Sequence, residues 1–558
     1  MKKNIIKLIV GVFLFSVFAS CEDNSLLNQA PYSTTSPENF YKTVSDFKLA
    51  LNGCYEALNT SIIPGGLSAA DGTYARGLFY MLEGCSDNVV VNNSAISCDF
   101  EKGTYVSSNQ NLDYLWAAYF AGISRCNYLL DKLPNAAITD SLKTQFTGEA
   151  RFMRAFYYQH LAECFGAVPL NTSPTPVINA PRAPLSDIYN LIITDFDYAY
   201  KNLKTTGLNK SSTNKWTAGA YLGMVYNYLA SCKRYNVGAS LLTQYPLNRF
   251  DWVNADTLSI KAATVLNDVV TNSPYKLLPQ AQYSYLFREG TKSYQYQECL
   301  FLSEWSDGAS DRYFGSVTEG FTPCGPLTVG GSYGRHLPTN DLYKAYQILA
   351  DGKTSGDIRR DWNITGRVAA TSLKETVDGK DYYIPNAAIP ITSGLQWTTG
   401  KFRIAVPGTY PNHTQNDCSL NFPLMRLADV KLQLAEALYF NGNENAARSI
   451  LTEIRTRVVN TSKTSLAALE AAYYKADFVQ ELLDERRREL CFECKRRVDL
   501  IRFAQTTSVI QNMIVEGNTD VKTGIGTLKS NWSDYKIWFP IPQIELDLNS
   551  NLVQNAGY

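Results

Sequence analysis

Apolar residues recur every three or four positions through much of the first half of the chain. From residue 40 they occupy one face of an α-helix, at Phe40, Val44, Phe47, Leu51, Cys54 and Leu58. The same spacing continues in four later segments, 112–133, 145–165, 186–203 and 215–235. Ser186 is placed to cap the last but one of them. The pattern therefore predicts a series of amphipathic helices.

Near the C-terminus, residues 429–458 form two amphipathic stretches around the turn sequence "NGN". This region and residues 222–226 resemble tetratricopeptide helix–turn–helix units, and the small residues at 218–220 permit close helix approach. The period is too irregular to establish a repeat from sequence alone. We nevertheless expect stacked helical hairpins as the scaffold.

Residues 283–425 differ from both flanks, because they are rich in Gly, Tyr, Ser and Thr and show little helical periodicity. Long irregular segments of a folded protein are often functional. We therefore expect a mainly α fold, a helical-hairpin superhelix with a large insertion of loops and small strands. The expected parts are an N-terminal helical region (39–280), the irregular region (281–425) and a C-terminal helical region with its tail (426–558).

The chain starts with three lysines among its first seven residues, followed by an apolar run from Leu8 to Ala19. That run is about 12 residues long, too short to span a bilayer as a helix. We interpret residues 1–20 as a signal peptide. Small residues directly before Cys21 resemble a bacterial lipobox, in which the cysteine is acylated, although Phe18 replaces the usual Leu or Val. Residues 21–38 are then a lipidated polar tether.

Composition narrows the function further. The formal net charge of the 558-residue chain is zero and 19% of residues are charged, which argues against a nucleic-acid partner. The twelve cysteines include a single CxxC pair, Cys491 and Cys494, and there are only three His. A structural zinc site usually needs four such ligands. We expect no metal and no cofactor, and mostly reduced cysteines in the core.

Four segments, taken in order, resemble the SusD/RagB family of outer-membrane lipoproteins. They are "GEARFMRAFYYQHLAECFGAVPL" (148–170), "NDLYKAYQILADGKTSGDIRRDW" (340–362), "FPLMRLADVKLQLAEAL" with "ILTEIRTRV" (422–458), and "FVQELLDERRRELCFECKRRVDLIRF" (478–503) with the ending "FPIPQIELDLNSNLVQNAGY" (539–558). Cys494 and Ala556 replace the family's usual Gly and Pro. With the lipobox, the resemblance covers essentially the whole mature chain.

The resemblance implies a right-handed superhelix of tetratricopeptide-like helix pairs and a role without catalysis. A protein of this family lies over a SusC-like TonB-dependent transporter, binds an oligosaccharide or similar fragment, and delivers it to the transporter. The acidic pair Glu22–Asp23 also resembles the surface-export signal of lipoproteins from Bacteroidetes. The implied location is the outer membrane, with the protein facing the cell exterior.

Glu485 and Glu489 lie four residues apart, so they share one face of a helix and could be the two carboxylates of a glycosidase. Their Arg neighbours would lower the pKa of a carboxyl, whereas a glycosidase acid needs a raised pKa. A salt-bridge network is the simpler explanation. The sequence contains no nucleophile elbow, phosphate loop or zinc-protease motif. We therefore predict that the protein is not an enzyme.

A glycan site needs aromatic faces for sugar C–H surfaces and planar polar groups for hydroxyls. We expect stacking by Tyr74, Trp305 and Tyr313. The predicted hydrogen-bonding side chains are Asp71, Arg76, Asn92, Asp307 and Arg312. Two alternatives remain open from sequence: capture of peptides or another non-glycan nutrient for the same kind of transporter, and a lipid-anchored glycoside hydrolase.

Overall fold

The computed structural model describes residues 40–58, 78–91, 99–241, 243–304, 336–366, 374–384, 388, 390, 397–406 and 419–558. Within these ranges the chain is mainly α-helical, with short strands between residues 89 and 426. The expectation of a helical-hairpin scaffold carrying irregular and small-strand segments is therefore confirmed.

The helices lie mostly before residue 273 and after residue 426. They are α1 (Val44–Glu56), α2 (Asp99–Lys102), α3 (Gln110–Lys132), α4 (Asp140–Phe165), α5 (Leu185–Asn202), α6 (Lys215–Arg234), α7 (Ala255–Asn272), α8 (Lys292–Glu298), α9 (Asn340–Lys344), α10 (Ile358–Asn363), α11 (Leu427–Phe440), α12 (Glu444–Val458), α13 (Leu466–Tyr473), α14 (Phe478–Leu490), α15 (Arg496–Arg502), α16 (Thr506–Asn512), α17 (Thr519–Asn531) and α18 (Gln543–Leu548). The pair predicted around "NGN" is α11 and α12, so that prediction is confirmed.

The long helices pack in chain order. Helix α1 packs on α3, and α3 to α7 each contact the next helix; α7 then packs on α11, which contacts α12 and α14. The apolar faces predicted from the periodicity form the main core, with Phe47, Leu51 and Cys54 of α1 fully or almost fully buried. Each hairpin therefore buries its apolar face against the next one.

Side-chain caps fix where several helices begin. Thr43 and Asp46 form a reciprocal capping box at the start of α1. Asn214 caps α6 by accepting hydrogen bonds from the backbone N–H groups of Trp216 and Thr217. The cap predicted at Ser186 is wrong: α5 begins at Leu185 directly after Pro184, and no side chain caps it. Proline holds the backbone in the angle that precedes a helix, so the start does not depend on a serine.

Close approach between helices depends on small residues of α6. A Cβ atom added at Gly219 would lie 2.9 Å from the ring of Tyr200 on α5, and one at Gly223 would lie 2.4 Å from Leu266 on α7. Both distances are shorter than a carbon–carbon contact allows. The prediction that small residues in this segment permit close packing is therefore confirmed, and α6 fits tightly between its two neighbours.

The strands form four separate two-stranded antiparallel ladders. They are β1 (Val89–Val91), β2 (Cys299–Ser303), β3 (His336–Pro338), β4 (Ile364–Gly366), β5 (Lys374–Val377), β6 (Lys380–Tyr383), β7 (Trp397–Thr399) and β8 (Phe422–Arg426). The ladders pair β1 with β3, β2 with β8, β4 with β7 and β5 with β6. The β2–β8 ladder is buried along its length, and it links the irregular segments to the helical core.

The eight cysteines within the described ranges are all buried free thiols, as predicted for the core. None of the helices in these ranges is long and apolar enough to cross a membrane.

Candidate functional site

A cleft of about 360 Å³ lies between α1, the loop that precedes α6 and the end of β2. Its lining residues come from three distant parts of the chain: Lys48, Leu51, Asn52, Tyr55 and Leu58; Leu208, Asn209, Ser211 and Ser212; and Leu302, Ser303 and Glu304. The volume is within the range of small-molecule sites.

The predicted ligand residues Asp71, Tyr74, Arg76, Asn92, Trp305, Asp307, Arg312 and Tyr313 lie outside the described residues, as does Cys21. Two of the segments that carry them adjoin the cleft in the chain. Segment 59–77 follows Leu58 and segment 305–335 follows Glu304, and both of these residues line the cleft. Seven of the eight predicted positions therefore belong to segments that directly follow a cleft residue along the chain.

Tyr55 is the aromatic residue among the described residues that line the cleft, and its hydroxyl is held at three points. The hydroxyl donates to Glu149 Oε2 at 2.7 Å, and it accepts from the backbone N–H of Thr213 at 3.1 Å. Thr213 Oγ1 lies 2.9 Å from the same oxygen. The edge of the ring packs against Phe301 of β2. Because the hydroxyl is fully used inside the protein, the ring is immobilised and its apolar surface can serve a ligand.

Behind Tyr55, Glu149 is fully buried in α4. It accepts a second hydrogen bond from Gln145 Nε2 at 2.9 Å. Burial raises the pKa of the Glu149 carboxyl to about 7, although the hydrogen bonds from Gln145 and Tyr55 act in the opposite direction. The group that orients the cleft tyrosine therefore changes its charge near neutral pH.

The remaining cleft lining is largely neutral. Leucine side chains supply apolar surface, and Asn52, Asn209 and three serines supply amide and hydroxyl groups. Lys48 and Glu304 are the charged side chains of this lining, one of each sign. An apolar surface beside neutral hydrogen-bonding groups suits a ligand with C–H faces and hydroxyls better than a highly charged one.

A buried ionic network holds the strand that ends at the cleft. Glu298, which directly precedes β2, accepts from Arg457 at 2.7 Å and pairs with Arg426 at 3.3 Å. Arg426, at the end of the partner strand β8, also pairs with Glu489 at 2.6 Å and Glu493 at 2.8 Å. The C-terminal helices thereby fix both strands of the ladder, and with them the position of Ser303 and Glu304.

The carboxylates considered for catalysis belong to this network. Glu489 pairs with Arg359, Arg426 and Arg457, and Glu485 pairs with Arg359, Arg455 and Arg488. Burial alone would raise the pKa of each carboxyl, but the surrounding guanidinium groups lower both pKa values well below the usual range. A glycosidase acid needs the opposite shift. The salt-bridge interpretation of these two residues is confirmed.

The described ranges hold no group of three or more His, Cys, Asp or Glu side chains placed to bind a metal ion. His160 packs against the rings of Phe156 and Tyr119, and its Nδ1 lies 3.0 Å from the carbonyl oxygen of Phe156. Burial lowers the pKa of His160 to about 3, so the ring is neutral. His160 therefore has a packed structural role in α4.

The fold and the cleft define a class: a helical-hairpin protein with a cleft lined by apolar and neutral polar side chains. Known proteins identify the family. The model described as "SusD family" matches residues 297–558, and the model described as "Starch-binding associating with outer membrane" matches residues 61–227. The chain belongs to the SusD/RagB family, so the resemblance seen in the four sequence segments is confirmed.

Similar proteins span the whole chain. SusD-like protein P2 of Formosa agariphila is 25% identical over 572 residues, covering 99% of each chain. The starch-binding protein SusD of Bacteroides thetaiotaomicron is 23% identical and covers 81% of this chain and 79% of its own. A solved structure described as a laminarin-binding SusD-like protein superposes with a TM-score of 0.63 at 21% identity, covering 93% of this chain and 100% of its own.

Sequence reasoning missed Tyr55, Asn52 and Asn209. On α1, Tyr55 directly follows the core residue Cys54, and the periodicity alone gives it no special role. The sequence feature that could have indicated part of this cleft is the polar loop "LNKSSTN" (208–214) before α6, which combines hydroxyl and amide side chains. Its closeness to α1 follows only from the packing of α1 on α3 and α4.

Proposed function

We propose that this protein is a cell-surface lipoprotein that binds a glycan and passes it to a SusC-like TonB-dependent transporter of the outer membrane, without catalysing a reaction. The observation that carries the proposal is the cleft, with the immobilised ring of Tyr55 beside neutral hydrogen-bonding side chains. Support also comes from the matched family model described as starch-binding and from the relative named as starch-binding.

In this proposal the glycan contacts the cleft through Tyr55, Asn52 and Asn209. The eight residues predicted from sequence extend the site beyond its rim: Tyr74, Trp305 and Tyr313 stack on sugar rings, and Asp71, Arg76, Asn92, Asp307 and Arg312 bind hydroxyls. Their segments adjoin Leu58, Val91 and Glu304, which supports this arrangement. The eight contacts stay predictions.

Cys21 carries the lipid in this proposal, and residues 22–38 link it to the part of the chain that the structure describes, which starts at Phe40. One acyl chain gives marginal membrane binding and two or more give stable anchoring, so a lipobox cysteine is a sufficient anchor. The tether allows the body to move relative to the transporter while it remains on the membrane.

The decisive experiment incubates the soluble protein (residues 22–558) with a panel of neutral and acidic polysaccharides and with a peptide mixture. Retardation in affinity electrophoresis, without new reducing ends in the incubation, supports glycan capture. Peptide binding without glycan binding would replace the glycan by a peptide cargo. New reducing ends in the incubation would overturn the binding role in favour of a hydrolase.

Transfer to a transporter needs a separate test. Co-purification of the full-length lipoprotein from outer membranes should yield a TonB-dependent barrel in a stable complex. Recovery of the lipoprotein alone under mild detergent would contradict the partner assignment, while leaving glycan binding untouched.

A further inference from the structure

Arg288 and Arg403 lie side by side among the irregular segments, and neither lines the cleft. An isolated parallel bridge pairs them: Glu289 N–H donates to the carbonyl oxygen of Arg403 at 3.0 Å, and Arg403 N–H donates to that of Phe287 at 2.9 Å. Residues paired in this way project their side chains to the same side. The backbone therefore holds two guanidinium groups next to each other.

Three aromatic rings surround the pair. The guanidinium carbon of Arg403 lies 3.4 Å from the centre of the Trp362 ring, and that of Arg288 lies 5.0 Å from the centre of the same ring. Arg288 also lies 4.9 Å from the ring centre of Tyr382 and 5.5 Å from that of Tyr285. Such rings attract a cation and fix its orientation, but they carry no net negative charge that would neutralise it.

The carboxylates do not balance the charge of the pair. Within the described ranges one carboxylate pairs with these two arginines: Glu375 Oε2 of β5 lies 2.7 Å from Arg288 Nη2. Arg403 donates instead to the carbonyl oxygens of Gly400 and Trp362. Two buried cations thus share one anion, and one positive charge is left over.

The neighbouring acid does not remove this excess. Glu289 follows Arg288 in the chain, and its carboxylate accepts from the backbone N–H groups of Ala405 and Ser419, both at 2.9 Å. Burial, and then the charge of Arg288, lower the pKa of Arg403 well below its usual value, although Glu375 acts in the opposite direction. The guanidinium group of Arg403 is therefore in a place where an additional anion would be favourable.

A buried arginine of the ionic network shows the contrast. Arg359 is as buried as Arg403, but it pairs with the carboxylates of Asp357, Glu485 and Glu489. Burial alone would lower the pKa of Arg359, and these carboxylates raise it well above the usual value. The protein therefore neutralises its other buried guanidinium groups from within, and the pair at Arg403 lacks such a partner.

Unused donors identify where an anion would bind. Nε and Nη1 of Arg288 are buried and have no acceptor in the part of the chain that the structure describes. Arg403 Nη1 also has no acceptor there, but it is not closed off from solvent, and Arg403 is 6% exposed. The side chain of Glu375 is 42% exposed, so the pair is reached from outside on this side. Arg403 Nη1 is the donor that a ligand meets, with the charge of Arg288 behind it.

Charge and shape together restrict the ligand. One negative charge balances the pair, whereas a dianion would exceed the positive charge that is left over. A planar guanidinium group matches the planar carboxylate group, and Glu375 shows that a carboxylate fits against Arg288. We propose that Arg403 and Arg288 form a binding site for one carboxylate group of a ligand from solution, beside Glu375.

The test uses saturation-transfer NMR on the soluble protein (residues 22–558), with acetate as the probe and acetamide as its uncharged equivalent. All measurements are made at constant ionic strength. Arg403→Met removes the donor that faces solvent, and Glu375→Gln removes the negative charge beside it. Arg249→Met is the matched control, because Arg249 forms an exposed pair with Asp251 and lies outside the site. Thermal melting verifies that each variant is folded.

We expect acetate to bind and acetamide not to bind. Arg403→Met should weaken acetate binding about tenfold or more, and Arg249→Met should leave it unchanged. Glu375→Gln should strengthen it at least about threefold, because the ligand no longer meets a like charge. Absence of acetate binding, equal binding of acetamide, or parent-like acetate binding by the Arg403→Met variant would each overturn the proposal. If that variant does not fold, Glu375→Gln decides, and unchanged or weaker binding overturns the proposal.

Two further probes identify the source of the carboxylate. Glucuronate carries it on a sugar ring, and N-acetylglycine carries it at a peptide end. Binding of either one assigns the site to an acidic unit of a larger ligand, and binding of acetate alone assigns it to a free small acid. The site shares no residue with the cleft, so a failure of the proposed function at Tyr55 leaves this result unaffected.

Discussion

At the scale of single residues, the buried carboxyl of Glu149 fixes the orientation of the Tyr55 ring in the cleft. The Tyr55 hydroxyl is hydrogen-bonded to Glu149 and Thr213. Because the ring is already held in place, a ligand that packs against it would cause little further loss of conformational entropy. Glu149 in turn is fixed by Gln145. The orientation of the cleft therefore depends on a carboxyl group that no ligand touches.

The first prediction separates the ring of Tyr55 from its hydroxyl. Tyr55→Ala removes the apolar platform and should weaken binding of the glycan identified by the panel about tenfold or more. Tyr55→Phe keeps the ring and should change affinity much less, although it leaves Glu149 short of one donor. Isothermal titration measures both, with the exposed Tyr474→Ala as control because it does not line the cleft. Equal losses for Ala and Phe would show that the hydroxyl, not the ring, is what matters.

The second prediction concerns the pH dependence of stability. The folded-state pKa of Glu149 is raised to about 7, above its usual value of 4.5, so the folded protein holds an extra proton between these pH values. Its contribution to stability is fully present below about pH 4.5 and is lost as the pH rises through 7. Glu149→Gln removes this loss, about 2.5 kcal/mol between pH 5 and pH 8 for a shift of this size.

Urea unfolding at pH 5 and pH 8 checks that prediction. The variant should lose less stability than the parent protein between the two pH values. It should retain some dependence, because burial also raises the pKa of Glu83 and of Glu163 to about 7. A variant with the same pH dependence as the parent would mean that Glu149 is already ionised in the folded protein at pH 5.

At the scale of elements, α6 connects the packing of the long helices to the loop that lines the cleft. It packs between α5 and α7, its N-terminal cap adjoins the loop of the cleft, and the turn 236–241 follows its C-terminal end. Its glycines allow the neighbouring helices to approach closely. A change in the packing of α6 therefore affects both ends at once.

The third prediction uses a pair of glycines in helices. Gly223→Ala should destabilise the protein by about 1–3 kcal/mol, because the added methyl group meets Leu266 in a close-packed interface. Gly526→Ala in α17 has nothing within 4 Å of the new Cβ and should stabilise the protein by about 0.5–1 kcal/mol. Denaturant unfolding of both variants measures the difference. A stabilising Gly223→Ala would show that the interface has spare room.

The buried ionic network belongs to the same scale, because it joins helices to strands. Glu489 of α14 meets Arg359 of α10, Arg426 of β8 and Arg457 of α12. Burial removes these three guanidinium groups from water, and paired carboxylates are needed to offset that unfavourable free energy. Removing one carboxylate leaves charge that the remaining acids do not neutralise.

The fourth prediction follows from this imbalance. Glu489→Gln should cost about 3–5 kcal/mol of unfolding free energy. Asp197→Asn, which breaks a surface pair with Lys201, should cost less than about 0.5 kcal/mol. Because its Arg partners lower the pKa of Glu489, its contribution is present above the unfolded-state pKa and is lost as the pH falls toward the lower folded-state value. Chemical unfolding at pH 7 compares the two variants, and equal small losses would contradict the role of the network.

At the scale of the whole molecule, the helical scaffold brings three distant parts of the chain together at the cleft. The described chain begins at Phe40, whose ring packs on Tyr41, and Tyr41 lies against Tyr128 of α3. The proposed lipid at Cys21 is thus 19 residues away along the chain from the first packed ring. A chain segment of this length can separate the folded body from a membrane without constraining its orientation.

The fifth prediction tests the anchor. Cys21→Ala in the full-length protein should move it from the membrane fraction to the soluble fraction of cells. The thermal melting temperature should not change, because the core of the described ranges forms without residue 21. Fractionation with immunoblotting measures the first effect. Retention of the variant in the membrane would show that the lipid is not the anchor.

The sequence by itself determined the helices, the buried thiols and the pairing role of the charged helix α14, because these depend on local periodicity and on neighbouring charges. It also indicated the family through motifs that lie within single segments. It misplaced one cap, because the start of α5 follows from the backbone of Pro184 and not from a serine side chain.

The tertiary structure decided where the cleft forms. The cleft joins residues near positions 50, 210 and 303. Such combinations depend on which helices pack together, and that is set by small residues and buried ion pairs across the whole chain. Periodicity reports which face of a helix is buried, but it carries no information on which distant segment will cover that face.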